Sequence, residues 1–281
     1  MITITSALRL LTALFGLYLF SLNIAGLILP FNNHSAHLKQ PPGFNTQPFT
    51  NNQVQTIINK QYPSTEDTVT AYTELIHRNI AHFWPDENLD HYGIRIPWRE
   101  NYLLRLIAYI RPDLYGKYEF CDYKKTLERG VGLCSQQALA LTRLLNEKEI
   151  QTHTVGLNGH VVTTALIDFH NNTWWVADPD YGVVLRHSLD ELQINPSLAS
   201  SAYSSKGYDS HTLAFIRSVY QSPDNTVYPR GVEGYPDCPH AKIIFRKASY
   251  WMIWLIPLLF ITPTIFNRLK HANNTTHHHQ P

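Results

Sequence analysis

The chain has 281 residues, and 23 Lys plus Arg against 22 Asp plus Glu leave a formal net charge of +1. That balance gives no long-range field for a phosphate polymer, which argues against a nucleic-acid partner. Charged residues are only 16% of the chain, below the roughly 25% of a soluble domain, so apolar surface lies outside an ordinary core.

The first apolar run is residues 7–29, with Arg9 near its start and Ser21 and Asn23 inside. It is long enough to cross roughly 30 Å of hydrocarbon as a helix. It has no small-residue cleavage site, which favours an uncleaved anchor over a signal peptide. Residues 30–50, rich in Pro, Asn and Gln, read as a linker. A folded domain is expected from 51 to 248. Ser64-Thr65-Glu66-Asp67 fits a capping box, and Val69, Tyr72, Ile76 and Ile80 follow at helical spacing. A second helix is predicted over Arg99–Ile110, with Leu103, Leu104, Ile107 and Ile110 inward and Pro112 as its stop. A short helix is predicted at Tyr123–Arg129, closed by Gly130, and a periodic one from Cys134 to Glu147.

The pattern then turns to strands at 152–157, 160–168 and 173–178, with a short one at Val183–Arg186. Short turn sequences at Asn158-Gly159 and His170-Asn171-Asn172 make the three long strands antiparallel neighbours. Helices are predicted at 188–193 and 209–219. Helices followed by a compact antiparallel sheet define an α+β domain. A second apolar run, 250–266, carries no charge, has Tyr250, Trp251 and Trp254 at one end, and tolerates Pro257 and Pro263 as a membrane helix. Residues 267–281 form a tail, in which His277–His279 are not expected to hold a functional metal. Two spans place both termini on one side of a bilayer. The flanking cations orient them weakly, with the termini expected in the cytoplasm and the domain outside it.

Chemistry concentrates in three places. Cys134 follows Arg129-Gly-Val-Gly-Leu and opens a helix, where unpaired N–H groups favour a thiolate and hold a developing oxyanion. The two glycines leave room for a substrate backbone. His160 starts one strand and Asp178 ends the next, so antiparallel pairing brings them together. A thiol, an imidazole and a carboxylate in series are what cysteine catalysis requires. Asp180 is a rival to Asp178 for the third place. Taken singly, each of these residues has an ordinary reading: a buried thiol, a strand histidine, a turn aspartate.

Gly-Leu-Cys134-Ser-x-x-Ala138 on a helix, then Gly-His160-Val on a strand, then Trp-x-x-x-Asp178-Pro resembles the transglutaminase-like superfamily of papain-like cysteine enzymes, over about residues 120–186. The resemblance implies a papain-like core: a Cys-bearing helix on a small antiparallel sheet. Cys134 is then the nucleophile, His160 the base and Asp178 the orienting acid. The animal cross-linking enzymes usually carry Trp after the cysteine and after the histidine. Here those places hold Ser135 and Val161, which points away from protein cross-linking and towards a bacterial, membrane-anchored branch.

The expected function is a membrane-anchored thiol enzyme acting on amide or peptide bonds through an acyl-enzyme, by hydrolysis or acyl transfer. The alternative is an inactive scaffold of the same fold in an envelope or polysaccharide-related assembly. Its expected surroundings are the lipid bilayer and a peptide, protein or amide substrate, with no cofactor and no metal. Trp98, Asn101, Tyr118 and Tyr123 are candidates to line a pocket or supply a second oxyanion donor. Cys121 and Cys238 are left to pair if the domain lies in an oxidising compartment. His153 and His170 are expected at the surface. Asn33-His-Ser and Asn171-Asn-Thr match glycosylation acceptors, a motif frequent by chance. No HExxH or paired-ligand spacing supports a metal-dependent hydrolase.

Overall fold

The computed structural model describes residues 4–29, 48–84 and 86–276, and for 265–276 the backbone alone. The linker up to residue 47, the Asn33 motif and the His277–His279 run lie outside the described residues.

Helix α1 (Ile4–Ile28) is the first apolar run. α2 (Asn51–Asn59) opens on a capping box between Thr50 and Gln53. α3 (Thr65–Asn79) is capped by Ser64, whose hydroxyl accepts the Asp67 N–H, and Val69, Tyr72, Ile76 and Ile80 are all buried as expected. A two-residue strand, β1 (Ala81–His82), follows. α4 (Tyr102–Ile110) starts three residues later than Arg99, because Asn101 adopts an extended backbone and accepts the Leu104 N–H. Leu104 is buried, but Ile110 is exposed at the last turn rather than inward. α5 (Pro112–Tyr115) uses Pro112 as its first residue, so the predicted stop also starts a helix. α6 (Tyr123–Arg129) ends on Gly130. β2 (Val131–Gly132) then leads into α7 (Cys134–Asn146).

Strands β3 (Thr152–Leu157), β4 (His160–Asp168), β5 (Thr173–Asp178) and β6 (Val183–Leu185) match the predicted ones closely. Helices α8 (Leu189–Ile194), α9 (Ser197–Ser205) and α10 (Ser210–Tyr220) follow, of which α9 was not foreseen. β7 (Thr226–Tyr228) and a 3₁₀ turn at Gly231–Gly234 precede α11 (His240–Thr276), which contains the second apolar run.

The fold is a mixed helix and sheet structure. The main sheet has the order β6-β5-β4-β3-β7, antiparallel throughout, and β1 and β2 pair separately in parallel. Side chains alternate across this sheet, so each face has its own core. Ala165 and Ala177 pack with Leu141, Leu144 and Leu145 of α7 and Leu75 and Ile76 of α3. Val155, Val162 and Val176 pack with Leu192, Tyr203, Ile216 and Tyr220 of α8–α10.

The described residues divide into two compact units, with boundaries at 94/95, 117/118 and 240/241. One gathers α1, α4, α5 and α11. Within it, the Tyr102 hydroxyl donates to the Ile253 carbonyl, and Leu19, Tyr102 and Ile253 form a buried cluster. Helices α1 and α11 are both long and apolar enough to cross a membrane, and Leu8, Leu11, Leu14, Leu255 and Leu259 are exposed on them. The other unit holds α2, α3, α6–α10 and both sheets.

Candidate active site

Helix α7 begins at Cys134 because the chain before it is held in other conformations. Gly130 closes α6 in the left-handed region, at φ 68°. Val131 and Gly132 then pair with Ala81 and His82. Gly132 has a packing role: a Cβ there would stand 2.7 Å from Cγ of Gln136. The space foreseen for a substrate backbone is thus taken by the Gln136 side chain. Its amide exchanges hydrogen bonds with both backbone groups of Phe120, at 2.5 and 2.6 Å, and fixes residue 120 against the first turn of α7. Next to it, the Ser135 hydroxyl donates to the buried Glu119 carboxylate.

His160 opens β4 and Asp178 closes β5. The Thr163–Ala177 pair sets the register, so both residues fall on the face that packs against α9 and α10. The imidazole Nε2 lies 2.7 Å from Asp178 Oδ2, and both side chains are buried. A carboxylate only accepts here, so Nε2 carries the hydrogen and Nδ1 is the nitrogen left for the thiol. The Cys134 sulfur lies within 4.8 Å of a nitrogen of the ring. Burial opposes a charged ring. The charge and hydrogen bond of Asp178, with the Cys134 sulfur, outweigh it and push the His160 pKa well above its ordinary value.

Asp178 is itself held from four directions. Oδ1 accepts the backbone N–H of Asp180 at 3.1 Å and of Tyr181 at 3.3 Å. Oδ2 accepts His160 and the hydroxyl of Tyr203, at 2.6 Å. Tyr203 is fully buried, and that burial, with the charge of Asp178, raises its pKa strongly.

Asp180, the rival carboxylate, is occupied elsewhere. His82 Nδ1 lies 2.8 Å from both of its oxygens, and Gln137 Nε2 donates to Oδ1 at 2.6 Å. Burial pushes the Asp180 pKa up, but the charges of His82, His160 and His77 outweigh it and hold the group below its usual value. The His77 ring donates through Nδ1 to the Asp180 carbonyl, and burial lowers its pKa. Gly182 makes room for that ring: its φ is +64°, and a Cβ there would meet His77 Cδ2 at 2.6 Å. The nearest donor atoms of Cys134, His160 and Asp180 all lie within 4.8 Å of one another.

The other candidates have partners of their own. Asn101 spends its side chain on the Leu104 N–H and on Ser249 Oγ, at 2.9 Å, so it is a helix cap and not an oxyanion donor. Trp98 stacks on Tyr109 in the same unit as the apolar helices. Tyr118 is buried against Phe120, and its carbonyl accepts Arg129 Nη1. The Tyr123 hydroxyl donates to Glu147. Cys121 and Cys238 form a disulfide, which leaves Cys134 as the free thiol among the described residues. His170 is exposed as expected, whereas His153 is half-buried and stacks on Trp174 at 4.4 Å.

The sequence reading missed Tyr203, His82, His77 and Glu119. Only Gln137 had a local signal, since it sits in the Cys134-Ser-Gln-Gln-Ala138 run.

No family model matches this chain. No curated protein and no solved structure matches it either. What the residues do is therefore read from their chemistry.

Proposed function

We propose that this chain is a membrane-anchored thiol enzyme whose second unit is transglutaminase-like, with a papain-like arrangement of helix and sheet. The observation that supports it is His160, hydrogen-bonded to Asp178 and within 4.8 Å of the Cys134 sulfur at the start of α7. The Cys134 thiolate attacks an amide carbonyl, and backbone N–H groups at the helix start stabilise the oxyanion. The C–N bond then breaks, and the leaving amine takes the proton from His160 Nδ1. A thioester on Cys134 remains. Water or a second amine gives its proton back to His160, attacks the thioester carbonyl and releases the sulfur as thiolate. Asp178 keeps the Nε2–H in place throughout and stabilises the imidazolium.

The substrate class is an amide or peptide carbonyl. The disulfide between Cys121 and Cys238 supports an oxidising compartment, hence an extracytoplasmic location for this unit. Helices α1 and α11 support anchoring in a bilayer.

The test is alkylation of Cys134 by iodoacetamide in the full chain, in detergent micelles, with the disulfide intact. An ion-paired thiolate stays reactive at about pH 6, where an ordinary thiol of pKa about 8.5 has slowed several-hundred-fold. The rate at that pH should exceed that of free cysteine at least about ten-fold, and His160→Ala should abolish the excess. A rate and pH profile equal to those of free cysteine would remove the nucleophile from the proposal.

A further inference from the structure

The three donors at the head of α7 have a property that thiol catalysis does not use. A cysteine sulfur, an imidazole nitrogen and a carboxylate oxygen converge from three different segments, all within 4.8 Å of one another. A tetrahedral zinc ion with ligands at about 2.0–2.3 Å sets neighbouring donors about 3.3–3.8 Å apart, so closing this set takes side-chain rotation of about an ångström. Soft sulfur with imidazole selects zinc over magnesium or calcium.

The groups behind the donors are also those of a metal site. A ligating imidazole is normally oriented by a carboxylate on its other nitrogen. His160 has Asp178 there, at 2.7 Å. A ligating carboxylate is normally hydrogen-bonded in turn, and Asp180 receives Gln137 at 2.6 Å and His82 at 2.8 Å. Asp178 and Asp180 are buried, while Cys134 is only half-buried and gives an ion a way in. Asp180 also has no part in the catalytic steps above, although it lies beside both reacting groups.

We infer that Cys134, His160 and Asp180 form a reversible zinc site that silences the thiol. The inference rests on the reading of Cys134 as the nucleophile. The ion takes the place of the proton between His160 Nδ1 and Cys134 Sγ, and that proton leaves to solvent. Three protein ligands leave the fourth position to water. With zinc bound, the sulfur lone pair is coordinated and does not attack a carbonyl.

The experiment uses the full chain in detergent micelles and zinc chloride as the probe. Cys134 alkylation is timed with and without zinc, and again after excess EDTA. Zinc at tens of micromolar should slow alkylation at least about ten-fold, EDTA should restore the rate, and millimolar magnesium should have no effect. Asp180→Asn should raise the zinc concentration for half-protection at least about ten-fold. Unchanged alkylation up to millimolar zinc overturns the site, and so does equal protection in Asp180→Asn. Cobalt provides a readout in the wild-type chain that does not depend on that variant folding. A tetrahedral visible spectrum with a thiolate charge-transfer band is expected, and an octahedral spectrum without that band overturns the inference. A thiol that is fast without zinc and stays fast with it breaks this inference alone. A thiol that is slow without zinc breaks the proposed function first.

Discussion

At the scale of single residues, Asp178 is the hinge of the site. Its four partners are two backbone amides, a phenol and the His160 ring, and all of them donate. An asparagine keeps the shape but presents an N–H₂ to two of those donors. Serine triads lose about 10⁴-fold on such a change. A thiol leans less on the carboxylate, so Asp178→Asn should slow amide turnover by about 10- to 1000-fold, and His160→Ala should nearly stop it. Asp180→Asn should cost less than Asp178→Asn. The reverse order, measured as turnover of an amide substrate, would give the third role to Asp180. Tyr203→Phe removes one hydrogen bond from a buried carboxylate, a loss of about 1–3 kcal/mol, read as a lower denaturation midpoint. The raised His160 pKa also predicts a pH dependence. Above about pH 6.5 the folded chain holds a proton that the unfolded chain gives up. The stabilisation is therefore full below that pH and fades as pH rises through the folded-state value. Asp178→Asn takes away the main support for the charged ring, so its alkaline loss should begin at lower pH. Denaturant titrations of both proteins between about pH 6 and 10 check this, and superimposable profiles would contradict it.

At the scale of elements, α7 is fixed to the sheet by more than leucines. Thr142 meets Thr154 at 3.3 Å and Thr163 at 3.0 Å, and Thr163 donates to the Ala138 carbonyl. This hydroxyl chain lies inside the core and sets the slide of the helix along β3 and β4, hence the reach of Cys134 towards His160. Thr142→Val should cost about 1–3 kcal/mol in a denaturant titration, because it strips partners from buried hydroxyls. The disulfide acts on the other flank. It ties Cys121, next to the Phe120 clamp on Gln136, to Cys238 across 117 residues of chain. Closing a loop of about 100 residues stabilises by up to about 4.7 kcal/mol in the chain-entropy view. Replacing both cysteines by serine should lower stability by about 2–5 kcal/mol, checked by the same titration. Much of this framework was legible in the sequence. Helices α3 and α7 show the 3.6 period, and β3–β5 show dense β-branched runs between short turns. The order Cys134, His160, Asp178 then followed from strand ends. The rest was hidden for physical reasons. α2 and α9 are built from Asn, Gln and Ser, whose composition reads as linker or loop. Strands β1, β2 and β7 are too short to show a period. His82 reaches Asp180 only because the two-stranded sheet turns residues 81–82 beside β2. Tyr203 meets Asp178 from a helix with no motif of its own.

At the scale of the whole molecule, α1 and α11 are the elements that match a bilayer. Two such spans would send the chain across and back. A reporter fused at residue 40 should therefore read the opposite side from one fused at the C-terminus, and reporters on the same side would remove one span. The glycosylation match at Asn171 falls in the exposed β4–β5 turn, where Asn171 Nδ2 donates to Asp168. That turn has a wider use. His160 begins β4 and Asp178 ends β5, so residues 169–172 sit at the far end of the hairpin, about 26 Å from the chemistry at 3.3 Å per residue. Phe169 through Asn172 are all exposed. The opposite turn, Asn158-Gly159, abuts His160 and needs a φ of +89° at Gly159. The two loops are thus unequal as ports for foreign sequence. Ten Gly/Ser residues spliced in after Asn171 should leave Cys134 alkylation within about two-fold of wild type, since surface loops tolerate added length. The same cassette after Asn158 should abolish the fast reaction. The far turn is accordingly where a fluorophore, an epitope or new chain termini can be grafted without disturbing the thiol.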